Sequence, residues 1–176
     1  DAPVSGGVVG AKNGSLTFMV GGKESVYLKA KPIFDIMGSK SILCGSESSG
    51  QAVKICNNML LAVTMVGVSE AFNLAESLNI DSKNLFDVIS TSSGSCWAVN
   101  NYCPIPEVGP TSPADNDFKP GFASKLMHKD LSLALDAAKR NKVKIDFTNN
   151  AFEIFSEMLK NNYGEKDFSY LKKYLQ

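Results

Sequence analysis

The sequence has one histidine, His128, and its four cysteines, Cys44, Cys56, Cys96 and Cys103, form no Cys-x-x-Cys pair. Metal centres built on imidazole and thiolate need several such ligands at short spacing, so no metal is expected. The cysteines read as four reduced, buried thiols of an intracellular protein. No charge of one sign dominates: eighteen basic and eighteen acidic residues cancel, without a basic block or stripe. That argues against a nucleic-acid partner. The longest apolar run, Met59 to Val68, is about ten residues and is bounded by Asn57-Asn58 and Ser69-Glu70. It is too short to span a bilayer, so no membrane association is expected. No signal or transit peptide is visible, and the opening Asp1-Ala-Pro-Val reads as mid-protein, which leaves room for a targeting segment removed upstream. Gly-x-Gly-x-x-Gly is also missing. Gly6-Gly-Val-Val-Gly-Ala has the wrong glycine spacing, and Lys12-Asn-Gly-Ser reads as a turn rather than a helix start. A complete dinucleotide-binding fold of the Rossmann kind is therefore not expected in this chain.

What is present suffices for a folded domain. There are 176 residues, 44% of them hydrophobic, enough for a sizeable core. Asp1-Ala-Pro-Val, Leu16-Thr-Phe-Met-Val and Ser41-Ile-Leu-Cys read as short strands. The first two end in glycine pairs and the third in one glycine. Lys23 to Met37 reads as a helix, with a kink or break at Pro32 and a stop at Gly38. After Ser46 only helical signals remain. Asp81, or alternatively Ser82, caps a helix through Ser90. Asp146 caps another from Phe147 to Asn162, ended by Tyr163-Gly164. A short helix with Phe168, Leu171 and Leu175 closes the chain. Between these, Asn101 to Asn116 is a proline-rich connection of a length that is usually functional or disordered. The fold class is mainly α: an all-α helical bundle over residues 46–176, preceded by a small α/β unit over residues 1–45 of three short strands and a helix.

The longest helical pattern runs from Gly50 to about Asn79 without proline. At 100° per residue, Lys54, Asn58, Leu61, Met65, Val68 and Phe72 share one stripe. Met59 to Val68 is apolar on nearly every side, so the helix is expected to be buried all round. Lys54 and Asn58 head this stripe one turn apart, about 6 Å along the axis. A buried lysine beside an amide is costly unless paired or used. Periodicity alone favours a lysine that snorkels into solvent. A second helix, Gly121 to Asn141, carries Phe122, Leu126, Lys129 and Leu133 on one stripe and Met127, Leu131, Ala134 and Ala138 on the opposite one. Apolar on two sides, it too is expected to be buried. Lys129 lies within an apolar stripe, where an acid is its natural partner; Asp136, two turns on, is a local candidate.

Four blocks, in order, resemble the β-hydroxyacid dehydrogenase family: Asp1-Ala-Pro-Val-Ser-Gly-Gly, Gly50-x-x-x-Lys54-x-x-x-Asn58, Ser93-Gly-Ser-Cys-Trp97 followed by Tyr-x-Pro-x-Pro, and Phe122-x6-Lys129-Asp130-Leu. The third block resembles the 3-hydroxyisobutyrate dehydrogenase branch more than other members. The family has a second glycine two residues before Gly50, where this chain has Ser48. The resemblance covers the chain from Asp1 to its last helix and implies a C-terminal portion, with a helical part like the C-terminal domain of 6-phosphogluconate dehydrogenase. It implies NAD-dependent oxidation of 3-hydroxyisobutyrate to methylmalonate semialdehyde, a step of valine breakdown in the mitochondrial matrix. It assigns proton transfer to Lys54 with Asn58, substrate binding to Ser5, Gly6, Gly7 and Phe122, and cofactor binding to Lys129. His128 falls at a variable position and receives no role. The implied partners are a small hydroxyacid and further copies of the chain, as a dimer or tetramer. The chain alone is expected to be inactive. Two other readings remain: a related dehydrogenase or semialdehyde reductase acting on another short substrate, and a non-catalytic dimerisation scaffold.

Overall fold

The structure is a computed structural model that describes residues 1–176. Its regular elements are β1 (Val4–Ser5), α1 (Gly7–Lys12), β2 (Leu16–Gly21), α2 (Glu24–Met37), β3 (Gly38–Gly45), α3 (Ser49–Ser77), α4 (Ser82–Thr91), α5 (Trp97–Asn100), α6 (Ser124–Asn141), α7 (Asp146–Lys160) and α8 (Leu171–Tyr174), with 3-10 turns at Pro113–Asn116 and Phe168–Tyr170. The protein is mainly helical, with one small sheet. By its internal contacts it divides into two compact units, Asp1–Asn57 and Asn58–Gln176, and the division falls inside α3.

In the first unit β2 is the central strand of three. It pairs antiparallel with β1, Val4 opposite Phe18 and Ser5 opposite Thr17. It pairs parallel with β3, Phe18 opposite Ser41 and Val20 opposite Leu43. A parallel pair needs a crossover, and α2 supplies it, with Phe34 stacked on Phe18 at 4.7 Å between ring centroids. One expectation fails here, the break at Pro32. The helix runs unbroken through Pro32. The helix stops at Gly38 as expected, where the backbone becomes extended (φ −150°) and begins β3 directly. The short helix α1 after Gly6 has no counterpart among the elements expected from the sequence, while the turn expected at Lys12-Asn-Gly-Ser falls at Asn13 and Gly14.

The second unit is a helical bundle. Its core holds Ala62, Met65, Phe72, Val99, Cys103, Met127, Leu131, Phe155, Met158, Phe168 and Leu171. α3 contributes one face, Asn58, Ala62, Met65, Ser69 and Phe72. It is not buried all round: Val53, Leu60 and Leu74 are exposed, the last two at 61%. All-round apolar composition had concealed a one-sided helix. By length and composition α3 would suffice to cross a bilayer, contrary to the reading of its central run; its buried face nevertheless packs into the bundle core. α6 is likewise one-sided. Met127, Asp130, Leu131 and Ala134 are buried, and Leu126 and Leu133 are exposed. Asp81 caps α4 as expected, accepting from the Asn84 amide at 3.0 Å. α7 begins at Asp146 itself and makes no side-chain cap bond, and it ends at Lys160. The proline-rich connection is packed rather than loose: Cys103, Pro104 and Ile105 are buried, and Ser112 Oγ donates to the Cys103 carbonyl at 2.7 Å. Of the cysteines only Cys103 is buried; Cys44 and Cys96 are half-buried and Cys56 is exposed, all as free thiols.

Candidate active site

Ser5 ends β1, and the chain then turns through Gly6 at φ 129° and Gly7 at φ 60°. Both values lie in backbone territory that a Cβ makes costly, which accounts for two consecutive glycines. Both are exposed and Ser5 is half-buried. A serine hydroxyl beside backbone amides without Cβ crowding is the donor set that suits a carboxylate.

Further along the same unit, the first turn of α3 is held by the beginning of the chain. The Ser48 amide donates to Asp1 Oδ1 at 2.8 Å and the Gln51 amide to Asp1 Oδ2 at 2.7 Å. Ser48 itself has φ 71°. Gly50 is buried, and a Cβ there would lie 2.2 Å from the Met19 carbonyl oxygen. Only glycine allows the helix to start so close to β2. Lys54 follows one turn later and is half-buried.

In the second unit the structure ties three polar residues together. Asn58 is 7% exposed and its Nδ2 donates to Asp130 Oδ2 at 2.6 Å. The other carboxylate oxygen, Asp130 Oδ1, meets Lys129 Nζ at 2.7 Å. The Asp130 side chain is 8% exposed, whereas that of Lys129 is 59% exposed. Asp130 therefore fixes the Asn58 amide in one orientation, its NH2 toward the carboxylate. A buried carboxylate with two donors is satisfied; without them it would be costly. Lys129 is thus neither buried nor paired with Asp136. Asp130 received no role from the sequence, although it stands inside a quoted motif. Its burial on α6 opposite a polar residue of α3 was the signal.

Phe122 is half-buried and packs edge-on against Phe168, 5.9 Å between centroids. Its backbone is held by Asp167, a fully buried carboxylate. Asp167 Oδ2 accepts from the Gly121 amide (2.9 Å), the Phe122 amide (3.0 Å) and the Tyr102 hydroxyl (2.9 Å). Asp167 Oδ1 accepts from the Ser169 amide (3.0 Å) and hydroxyl (2.7 Å). Burial, then the neighbouring Asp167 charge, pushes the Tyr102 phenol far above its ordinary range, so it remains a donor. Tyr102 also stacks on the half-exposed Trp97 at 5.1 Å. His128 serves structure. It stacks on Phe152 at 4.5 Å, and its Nε2 lies 3.0 Å from Ser156 Oγ. That hydroxyl already donates to the Phe152 carbonyl, so the imidazole Nε2–H is the donor.

Two family models match the chain. Residues 1–45 match the NAD binding domain of 6-phosphogluconate dehydrogenase. Residues 48–175 match the model described as NAD-binding of NADP-dependent 3-hydroxyisobutyrate dehydrogenase. A probable 3-hydroxyisobutyrate dehydrogenase of Mycobacterium tuberculosis is 48% identical over 169 residues, 96% of this chain and 57% of that protein. The mitochondrial 3-hydroxyisobutyrate dehydrogenase of Rattus norvegicus is 45% identical over 176 residues, all of this chain and 52% of that protein. A solved structure of Mycobacterium tuberculosis 3-hydroxyisobutyrate dehydrogenase with L-serine superposes at a TM-score of 0.94 with 47% identity, covering 100% of this chain and 60% of that one. The chain thus spans about half the length of the curated relatives it matches. With more than half of its residues matched by one family model, the chain belongs to the 3-hydroxyisobutyrate dehydrogenase family.

Proposed function

We propose that the chain supplies the substrate-handling part of an NAD-dependent dehydrogenase that oxidises 3-hydroxyisobutyrate to methylmalonate semialdehyde, the reaction that would place it in valine breakdown. Residues 1–45 would be the margin of the dinucleotide-binding domain. Residues 46–176 would form the helical substrate and dimerisation domain, related to the C-terminal domain of 6-phosphogluconate dehydrogenase. The observation that carries the reading is the Asn58–Asp130–Lys129 group, in which Asn58 and Asp130 are buried, with Lys54 four residues before Asn58 in the sequence. An oriented amide and a lysine at that spacing suit proton transfer from a hydroxyl.

The residues fit the reacting end of a nicotinamide cofactor: Lys129 keeps an exposed cationic side chain anchored by Asp130, suited to a site where anions gather. When bound, NAD supplies the hydride acceptor. As the carbinol carbon loses hydride with its electron pair, Lys54 takes the hydroxyl proton, leaving a carbonyl. Asn58 holds the hydroxyl or carboxylate in line. Ser5, Gly6 and Gly7 bind the carboxylate, Lys129 adds positive charge toward substrate and cofactor, and Phe122 walls off water. The names of relatives differ on location. The rat protein is called mitochondrial and the mycobacterial one is not, and the matrix is the compartment we assign by the former.

Lys54→Ala in the full-length enzyme tests the reading. The expected outcome is a loss of kcat of at least about a hundredfold with the KM for NAD little changed, because a proton acceptor acts in the transition state. A loss of threefold or less would show that another group takes the proton. A substrate panel separates this reaction from that of a related dehydrogenase or semialdehyde reductase.

A further inference from the structure

We propose that Asp1 is a positioning residue for this reaction: its carboxylate locks the strand leading to the Ser5–Gly7 turn onto the first turn of the helix that carries Lys54. The inference rests on the function proposed above and concerns the geometry that function requires.

The backbone from Asp1 to Ser5 is tied to β2 throughout. Asp1 N donates to the Gly21 carbonyl at 3.0 Å and Gly21 N to the Asp1 carbonyl at 2.8 Å. Met19 N donates to the Pro3 carbonyl at 2.9 Å, and Val4 and Ser5 continue as β1. The Asp1 side chain leaves this ladder and accepts two amides at the start of α3, Ser48 N on Oδ1 and Gln51 N on Oδ2. First-turn amides have no partner within their own helix, and a carboxylate is the strongest acceptor for them. The slot for this carboxylate is closed by glycines. A Cβ on Gly21 would stand 2.3 Å from Asp1 Oδ1, and one on Gly50 2.8 Å from Oδ2. The side chain is clasped on both sides, so its reach is fixed. Lys54 stands only three residues after Gln51, less than one turn. A shift of the α3 start against β2 therefore moves the proton acceptor relative to the strand that ends in the substrate turn. Reacting groups tolerate little such misplacement.

The test uses Asp1→Ala, Asp1→Asn and Asp1→Glu in the full-length enzyme, assayed with hydroxyacid and NAD at a temperature where circular dichroism shows every variant folded. Asp1→Ala is expected to lower kcat about thirtyfold and leave the KM for NAD within about twofold. Asp1→Asn, which keeps one acceptor, is expected to fall between it and wild type. Asp1→Glu keeps the charge but adds a methylene the slot does not admit, and is expected to match Asp1→Ala. A lowered melting temperature with unchanged kcat in all three would overturn the proposal. So would full activity in Asp1→Glu, since charge alone would then suffice. If Asp1→Ala does not fold, the order of the Asn and Glu variants decides. The proposed reaction is tested separately by Lys54→Ala: activity retained there removes that reading without reference to Asp1.

Discussion

Ser48 holds a left-handed backbone with φ 71°, at the position where the family pattern resembled by this chain has glycine. The conformation costs a residue with a Cβ roughly 1–2 kcal/mol, against which glycine loses about 0.5–1 kcal/mol of chain entropy. Ser48→Gly is therefore expected to stabilise the protein by up to about 1 kcal/mol, read as a higher urea midpoint at unchanged slope. His128 gives a pH dependence of definite sign. Burial lowers its pKa below the ordinary value, so the unfolded chain binds the proton more readily. Its contribution to stability is present above the unfolded pKa and is lost as pH falls through the folded one. His128→Phe, which keeps a ring on Phe152, is expected to flatten the fall in melting temperature between pH 8 and pH 5.5. At this scale the sequence showed the types of residue better than their partners. Lys54, Asn58, Phe122 and Lys129 stood out by motif, but Asp130 did not. Neighbours i and i+1 diverge on a helix, so spacing points to Asp136, two turns along, as the partner of Lys129. The long lysine side chain instead folds back onto the adjacent carboxylate, which α3 and α6 bury between them.

The helices were largely legible at the level of elements, because period and caps are local. α4 starts at its Asp81 cap, and α2 and α6 lie where apolar spacing put them. Burial was less legible, since it depends on what packs from outside. Both α3 and α6 carry apolar residues on more faces than the bundle covers. The turn at Phe122 could not be foreseen either, because Asp167 reaches it from 45 residues away. That carboxylate meets five donors on its two oxygens. An amide in its place points an NH2 at two or three of them, whichever way it turns. Asp167→Asn is accordingly expected to cost about 3–5 kcal/mol. Tyr102→Phe, which removes one donor, is expected to cost about 1 kcal/mol. Urea unfolding of both variants checks the ratio, and equal costs would place the strain elsewhere.

For the whole molecule, Val53, Leu60 and Leu74 are exposed at multiples of seven along α3, with Gly67 between them and Leu78 one turn on. An exposed apolar stripe of this spacing suits contact with a second copy. We expect the 176-residue chain to associate with itself, and sedimentation at several concentrations should show a dimer or larger species. A monomer persisting at high concentration, or unchanged association in Leu60→Glu, would count against the seam. The unit boundary between Asn57 and Asn58 has a different consequence. Domains usually meet at an exposed linker, where a protease can enter. Here the boundary is hydrogen-bonded helix, and a cleaving enzyme must first unwind α3, disturbing both units at once. Trypsin should therefore nick at exposed lysines outside regular elements, such as Lys142 after α6, long before it cuts at Lys54. The two units would leave the digest still joined.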